Sequence, residues 1–226
     1  MKIQNTKVYG LHENIKRSGI PMSLDIDRLD INYDRARNLA RNKPGTGHNC
    51  YLKGIIVQAD ITATIKWWVQ WGRYHFADII SSQSTMHKIK DMNLNKVYNK
   101  YVDDRVIEIM EELQEQYNEN PTKENFYKLV YTNPDGLELT AGITTNYLQE
   151  KTIYLQRRNH KLKYEWGKYC DWIENLPHSD LIIDNGNVKQ ELLDQIDNIL
   201  NNIRHGNKES VNNAIKKLEN LYDKYA

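Results

Sequence analysis

The alternation of hydrophobic and polar positions predicts two strands in the first third of the chain. Lys2–Gly10 alternates weakly, which is typical of an edge strand, and the Ile- and Val-rich stretch Ile55–Ile61 is typical of a strand with one covered face. Residues 11–31 hold glycine, proline and several aspartates and predict a loop with short structured pieces. Tyr33–Asn42 predicts a short helix, which ends before Pro44.

Helical periodicity dominates the middle of the chain. Tyr101–Tyr117 has apolar positions on one helical face, and 123–132 predicts a second helix. Thr144–Leu176 predicts a long helical region with one break near Asn159. Together with the strands, these helices predict an α/β (α+β) fold in which a central sheet is flanked by long helices.

The end of the chain predicts a separate helical hairpin. Apolar positions within 188–203 and within 211–225 mark two helices, and Ser210 is a candidate N-cap of the second. The pattern therefore divides the chain into an α/β domain over 1–183 and a C-terminal hairpin over 184–226. The hairpin carries no chemical motif, so we interpret it as a packing or oligomerisation element.

The segment 64–75 is the most unusual part of the sequence because it holds three tryptophans within five residues. In a helix, Trp67 and Trp71 share one face, which is typical of a buried aromatic seam. The alternative is a helix that lines a cleft and presents polar side chains at its end. Those side chains are Gln70, Arg73 and His75.

Composition and charge narrow the function classes. The chain has 31 Lys+Arg against 30 Asp+Glu, a formal net charge of +1, which disfavours a general nucleic-acid coat protein. No apolar run approaches the roughly 20 residues of a membrane span, and Met1–Asn5 does not begin the apolar core of a signal peptide. We therefore expect a cytoplasmic protein without membrane contact. Cys50 and Cys170 form no CxxC pair, and the histidines are scattered, so we predict no metal site.

Two segments offer groups that can bind phosphate, although the sequence holds no Walker loop, GxGxxG, GxSxG or HExxH motif. The hydroxyl cluster Ser81–Thr85 is either a capping or turn segment or an anion-binding loop. The basic cluster Gln156–Lys161 is either a solvated face or a phosphate clamp. With the tryptophan helix beside one of them, they indicate a nucleotide or flavin pocket.

Several motifs in the chain carry a family resemblance. Gly47–Cys50 is followed by a strand and then by Gln70–His75, and later come Asn146, Leu155–Arg157 and Glu165. In order and spacing these motifs resemble the signature of the flavin-dependent thymidylate synthases: Gly-His-Glu-Ser/Thr, then Gln-x-x-Arg-His-Arg with a Ser-rich continuation, then Asn and Leu-x-Arg…Glu. The resemblance spans roughly 140 residues of the chain, from the first predicted helix to the end of the long helical region.

The chain departs from that signature where the family has polar or charged residues. The changed positions are Tyr74, His75, Asp78, Ile80, Ser81, Thr85, Met86 and Leu148. In the family, such residues contact the nucleotide substrate, dUMP. Loss of several charge-assisted contacts therefore predicts loss of ordinary dUMP binding unless His75, Arg158 or Lys161 compensates. The sequence Ser-Thr-Met-His-Lys at Ser84–Lys88 also resembles that of a group of phage and prophage proteins.

The resemblance implies a cofactor, a substrate and an assembly. The cofactor is FAD, with NADPH and methylenetetrahydrofolate as co-substrates, and the substrate is a pyrimidine nucleotide of the dUMP type. By position, the implied FAD contacts are His48, Arg73, His75 and Asn146. The implied nucleotide contacts are Gln70, Ser82, Ser84 and Arg157. No catalytic side chain is implied, and the family's homotetramer implies a homo-oligomer.

Three functional hypotheses follow. The first is a divergent flavin-dependent enzyme that transfers a one-carbon unit reductively to the nucleotide, a methyltransferase. The second is a catalytically silent or repurposed phage-type relative that binds a nucleotide or a protein partner. The third, a structural or nucleic-acid-binding protein, rests on Arg157, Arg158 and the tryptophans alone, and the net charge of +1 disfavours it.

Overall fold

The computed structural model describes residues 1–183, 196, 199–201, 203–205 and 208–225. Its strands are β1 (Lys2–Tyr9), β2 (Ile56–Thr64), β3 (Asp78–Ser82) and β4 (Glu138–Asn146). They form one antiparallel sheet in the order β1–β2–β4–β3. The predicted α/β architecture with a central sheet is therefore confirmed.

Helices connect and cover these strands. The first five are α1 (Leu11–Arg17), α2 (Tyr33–Ala40), α3 (Ile65–Trp71), α4 (Thr85–Lys88) and α5 (Leu94–Val97). The next four are α6 (Asp104–Glu119), α7 (Lys123–Thr132), α8 (Tyr147–Arg157) and α9 (Lys163–Glu174). The last two described are α10 (Asp180–Ile183) and α11 (Lys208–Tyr225).

Strand β2 forms the middle of the hydrophobic core. Its alternate residues Val57, Ala59, Ile61 and Ala63 are buried, whereas the residues between them are partly exposed. This is the pattern of a strand with one covered face, as the sequence predicts. Strand β4 runs beside it along its whole length, from Ile56 opposite Asn146 to Thr64 opposite Glu138.

The two outer strands are β1 and β3. Strand β1 is an edge strand, as predicted, and its pairing with β2 is interrupted between Gln4 and Lys7, where Asn5 has a positive φ of 55°. Strand β3 is a finding that the sequence pattern did not predict. Ser81 and Ser82, which the pattern placed in a turn, cap or loop, lie in this strand, and all five of its residues are exposed.

The main core lies between the sheet and several helices, among them α3, α8 and α9. The predicted aromatic seam is confirmed, because Trp67 and Trp71 are fully buried and their rings stack 6.1 Å apart. Trp166 and Tyr169 of α9 pack against Trp67, with ring centres 5.1 and 5.3 Å away. Such aromatic pairs add to the free energy gained from burial alone.

A second, smaller core lies under α6 and α7. Both helices were predicted, and α7 has the predicted bounds, whereas α6 begins at Asp104 after its N-cap Asp103. The residues of this core are Ile89, Leu94, Tyr98, Met110, Leu129 and Leu137.

The predicted helical region Thr144–Leu176 needs one correction. Thr144–Asn146 ends β4, and α8 begins only at Tyr147. The side chain of Asn146 ends the strand and begins the helix, because its Oδ1 accepts a hydrogen bond from the backbone N–H of Gln149 at 2.9 Å. The predicted break near Asn159 is confirmed, since α8 ends at Arg157 and α9 begins at Lys163.

The predicted C-terminal hairpin is only partly covered by the described residues. Its second helix is α11, which begins at Lys208, so that Ser210 lies inside the helix and is not its N-cap. Residues 199–201 and 203–205 are helical, but most of 184–198 lies outside the described residues. The division into domains 1–183 and 184–226 stays a prediction.

Candidate functional site

The site begins where β2 passes into α3. Thr64 is the N-cap of α3, and its Oγ1 accepts a hydrogen bond from the backbone N–H of Trp67 at 3.2 Å. The buried carboxylate of Glu165 accepts two hydrogen bonds from Thr64, one from the backbone N–H and one from the hydroxyl, both at 2.9 Å. Charge-assisted hydrogen bonds of this kind are strong, so the start of α3 is held firmly against α9.

Helix α3 has one buried face and one open face. Trp67 and Trp71 fill the buried face, and Val69 on the other side is 60% exposed. Lys66 and Gln70 stand one helical turn apart, as residues at i and i+4 do, and therefore share the open face.

This open face lines a cleft of about 370 Å³, which we name the Arg157 cleft. Its other walls come from the turn before β4 and from the end of α8 with the loop that follows. The lining residues are Lys66, Val69, Gln70, Arg73, Asp135, Arg157 and His160.

Arg157 is positioned by neutral groups. Its Nε donates to the hydroxyl of Tyr74 at 2.8 Å and its Nη1 to Oε1 of Gln70 at 3.5 Å. The guanidinium also lies 4.6 Å from the ring centre of Trp166, a cation–π contact. None of these contacts neutralises the charge, and in the described part of the chain no carboxylate lies within 4 Å of the guanidinium.

Gln70 is oriented by its carbonyl oxygen. Oε1 accepts hydrogen bonds from Nε1 of Trp166 at 3.0 Å and from Arg157. The amide nitrogen has no partner among the described residues, so its two N–H groups are available to a ligand in the cleft.

The other charges of the cleft differ in how far they are compensated. Arg73 is exposed, and among the described residues it has neither an ion pair nor a hydrogen bond. Lys66, by contrast, pairs with Asp135 through Nζ and Oδ2 at 3.3 Å. The cleft therefore holds two uncompensated guanidiniums, a charge that matches a phosphate.

His160 is a neutral donor at the rim. Burial and the charge of Arg157 lower the pKa of its imidazole below the usual value of 6.5. The backbone N–H of Leu162 donates to Nδ1 at 3.1 Å, which leaves the proton of the neutral ring on Nε2. His160 can thus donate one hydrogen bond at neutral pH.

Comparison with solved structures identifies the architecture. The structure superposes with a TM-score of 0.65 on the flavin-dependent thymidylate synthase ThyX of Helicobacter pylori complexed with FAD and dUMP, at 15% sequence identity, over 81% of this chain and 99% of that one. A second ThyX structure from the same organism, also with FAD and dUMP, gives a TM-score of 0.64 at 14% identity over 82% and 99%. The chain has the flavin-dependent thymidylate synthase fold.

The family resemblance of the sequence motifs is thereby confirmed at the level of the fold. No protein-family model and no curated protein matches the sequence. An identity near 15% establishes a shared thymidylate synthase fold and leaves activity to be argued from the residues.

Of the residues that the resemblance places at ligands, three meet in the Arg157 cleft: Gln70, Arg73 and Arg157. Gln70 and Arg157 are 87 residues apart in sequence. The prediction that the tryptophan helix lines a cleft is confirmed for Gln70 and Arg73, and the seam and the cleft are the two faces of one helix.

The remaining implied FAD contacts do not line this cleft. His48 is exposed in the loop before Cys50, and His75 is exposed between α3 and β3. Asn146 is 7% exposed and caps α8 with its side-chain oxygen. In the thymidylate synthase fold of this chain, Arg73 alone of the four lies in the cleft.

The implied nucleotide serines also lie elsewhere. Ser82 lines a separate, mainly apolar cleft of about 380 Å³ with Trp68 and Ile79. Ser84 is the N-cap of the short helix α4, where its Oγ accepts from the backbone N–H of His87 at 3.4 Å. For Ser84 the capping interpretation of the hydroxyl cluster is confirmed.

Two charged lining residues were not identified from the sequence. Lys66 had a detectable signal, because it stands four residues before Gln70 on a predicted helix. Asp135 had none, because it belongs to a turn whose position beside α3 is set by tertiary packing. Its backbone carbonyl accepts a hydrogen bond from the N–H of Lys66 at 3.1 Å.

Behind the tryptophan seam lies a buried polar chain. Trp71 Nε1 donates to the hydroxyl of Tyr169 at 3.2 Å, and that hydroxyl donates to Oε1 of Glu150 at 3.0 Å. Among the described residues, neither Oε2 of Glu150 nor Oγ1 of Thr145 has a hydrogen-bond partner. Burial raises the pKa of Glu150 to about 7, and the hydrogen bond from the Tyr169 hydroxyl limits the rise.

The described residues hold neither a metal-binding cluster nor a membrane-spanning helix. Among them, no group of three or more His, Cys, Asp and Glu side chains could hold a metal ion. Over the same part of the chain, no helix has the length and apolar character needed to cross a membrane.

Proposed function

We propose that the Arg157 cleft binds a pyrimidine nucleotide of the dUMP type. The observation that carries the proposal is the convergence of Gln70, Arg73 and Arg157 in one cleft of a chain with the thymidylate synthase fold. Arg73 and Arg157 supply planar guanidinium donors for a phosphate, and neither is neutralised by a described carboxylate.

The neutral donors of the cleft suit the rest of the nucleotide. The amide N–H groups of Gln70 and the Nε2–H of His160 can donate to the carbonyl oxygens of a pyrimidine ring. Because Gln70 is fixed by Trp166 and Arg157, it presents these donors without having to be ordered on binding. The chain's contribution is thus to bind and orient the nucleotide.

The relatives of known structure support flavin chemistry at such a site, since both carry FAD and dUMP. Bound FAD would supply the hydride of a reductive one-carbon transfer. In this chain, however, His48, His75 and Asn146 lie outside the Arg157 cleft, and the Oδ1 of Asn146 is committed to α8. Binding of FAD, use of NADPH and methylenetetrahydrofolate, and the homo-oligomer therefore stay predictions from the resemblance.

A second candidate is a silent or repurposed relative that binds the nucleotide without transforming it. It is favoured by the position of the serines, because Ser82 and Ser84 do not reach the Arg157 cleft. It is also favoured by Tyr74, which stands where the family signature has histidine and whose hydroxyl holds Arg157.

Nucleotide binding is tested by isothermal titration of the full chain with dUMP. We expect saturable binding that weakens about tenfold or more in Arg73→Ala and in Arg157→Ala, since each removes a charge-assisted contact. The matched control is Arg28→Ala. Arg28 is 87% exposed and does not line the cleft. Unchanged affinity in both cleft variants contradicts the proposal.

Retention of FAD by the purified chain distinguishes the enzyme hypothesis from the hypothesis of a silent relative. The purified chain is mixed with FAD, freed of unbound FAD by gel filtration, and its visible spectrum recorded. A retained flavin band, together with growth of a thymidylate-deficient bacterium without thymidine, supports the enzyme. A featureless spectrum with intact dUMP binding supports the repurposed relative.

A further inference from the structure

A second cleft adjoins the first. It has a volume of about 530 Å³, and Lys66 and Asp135 line both clefts, so their ion pair forms the partition between them. We name it the Tyr101 cleft. Its other lining residues include Tyr101, Val102, Lys161, Leu162, Lys163 and Tyr164.

The cleft presents an accessible aromatic surface. The side chain of Tyr101 is 73% exposed, and its ring meets that of Tyr164 edge to face, with centres 5.5 Å apart. Val102 and Leu162 add apolar surface beside the rings. A planar ring in this cleft would find an aromatic face to stack on and an apolar flank, at small ordering cost because tyrosine has few rotatable bonds.

The lysines in and beside the cleft outnumber its two carboxylates, Asp135 and Glu165, so its net charge is positive. Both oxygens of Glu165 accept from Thr64, and Asp135 pairs with Lys66. Four exposed lysines stand in or beside the cleft, and none has a carboxylate within 4 Å in the described part of the chain. They are Lys100, Lys161, Lys163 and Lys168.

Two of these lysines are positioned by the same aromatic pair. Nζ of Lys100 lies 4.9 Å from the ring centre of Tyr101 and 5.4 Å from that of Tyr164. Nζ of Lys168 lies 4.7 Å from the ring centre of Tyr164. Cation–π contacts hold the ammonium groups next to the ring surface without neutralising them, so positive charge and aromatic face are presented together.

We propose that the Tyr101 cleft is a second nucleotide site, in which the base stacks on Tyr101 and the phosphate binds the lysines. An inorganic anion would leave the aromatic surface unused, and an apolar ligand would leave four ammonium groups without a counter-charge. A nucleoside monophosphate uses both. The proposal goes beyond the dUMP site of the Arg157 cleft, because its ligand-binding residues are different and its ligand binds independently of dUMP.

The ligand chemistry is tested by titrating the full chain with adenosine 5′-monophosphate (AMP) in the presence of saturating dUMP. Adenosine, which lacks the phosphate, and ribose 5-phosphate, which lacks the base, are titrated in parallel. We expect AMP to bind and each fragment to bind about tenfold or more weakly, because each lacks one of the two recognised groups. The affinity for AMP should fall as salt is raised.

The location is tested with substitutions that spare the fold. Tyr101→Leu keeps an apolar side chain at an exposed position and should weaken AMP binding about tenfold. The double substitution Lys161→Gln with Lys163→Gln should weaken it by a similar factor. Tyr131→Leu, at an 81% exposed tyrosine of α7, and Lys7→Gln on β1 are matched controls that should leave it unchanged.

Failure of this proposal is distinguishable from failure of the first. AMP binding that survives Tyr101→Leu but is lost in Arg157→Ala would place AMP in the Arg157 cleft and overturn the second site. AMP binding that is insensitive both to Tyr101→Leu and to the double lysine substitution overturns it as well. Tight, steeply salt-dependent binding of a fifteen-residue oligothymidylate without binding of AMP would assign the cleft to nucleic acid and equally overturn the proposal.

Discussion

The two faces of α3 differ in burial and in how far their polar groups are hydrogen-bonded. On the buried face, Trp67 and Trp71 are fully packed, and the cap residue Thr64 has its hydrogen bonds met by Glu165. On the open face, Arg73 and the amide nitrogen of Gln70 have no described partner. A ligand site needs groups that are fixed but unsatisfied, and here one face supplies the rigidity that lets the other stay unsatisfied.

This comparison predicts that substitutions on the buried face change stability, whereas substitutions on the open face change binding. The largest effect is expected for Trp71→Ala, which leaves a cavity in the main core and removes the donor to Tyr169. The free energy of unfolding, measured by urea denaturation, should fall by about 4 kcal/mol. Val69→Ala, on the open face of the same helix, should lower it by less than about 0.5 kcal/mol.

The next effect depends on pH and concerns Glu150. Its folded-state pKa of about 7 lies above the value of 4.5 expected for the unfolded chain, so the folded state binds the proton more tightly. The stabilisation is therefore complete below about pH 4.5 and is lost as the pH rises to 7, a change of about 3 kcal/mol.

Glu150→Gln removes this titration. The amide oxygen can still accept from Tyr169, and the amide nitrogen can donate to Thr145, whose hydroxyl has no partner among the described residues. The variant should match the parent near pH 5 and exceed it by up to about 3 kcal/mol at pH 8. Denaturation curves at several pH values measure the gap, and a gap independent of pH would refute the buried titration.

A smaller loss of stability is expected for Glu165→Gln. The neutral amide oxygen can accept from one Thr64 donor, but the amide nitrogen then faces the other donor, so one hydrogen bond is lost and the remaining one is no longer charge-assisted. The expected decrease in the free energy of unfolding is about 2 kcal/mol. Glu108→Gln, at an exposed position of α6, serves as the control, and an equal effect in both variants would contradict the assignment.

The smallest effect on stability belongs to Arg73→Ala, which sharpens the comparison. The side chain is exposed and unpaired among the described residues, so the free energy of unfolding should change by less than about 0.5 kcal/mol. The same variant is expected to lose about tenfold in affinity for dUMP. Denaturation and dUMP titration of one protein preparation test both expectations. A large loss of stability would show that Arg73 supports the fold and is not only a ligand-binding residue.

The sequence allowed the two faces of α3 to be predicted because helical spacing is a local property. Trp67 and Trp71 recur at i, i+4, and so do Lys66 and Gln70. The same holds for β2, whose buried residues alternate from Val57 to Ala63.

Strands β3 and β4 were not predicted, for physical reasons. β3 has no covered face, so its sequence carries no alternation of burial. β4 is rich in threonine and holds one glycine, and its conformation follows from pairing with β2 along its whole length. The Tyr101 cleft could not be predicted from the sequence either, because Tyr101 and Tyr164 come from distant segments that only the folded chain brings together.

The hydrogen bonds between Thr64 and Glu165 have a consequence for how the chain folds. The two residues are 101 positions apart. During synthesis, the cap of α3 emerges long before its partner on α9, and the tryptophans of α3 have no cover from Trp166 and Tyr169 until then. Contacts of such high sequence separation slow folding, so α3 should acquire protection from hydrogen exchange late, together with α9 and after the more local α6–α7 pair.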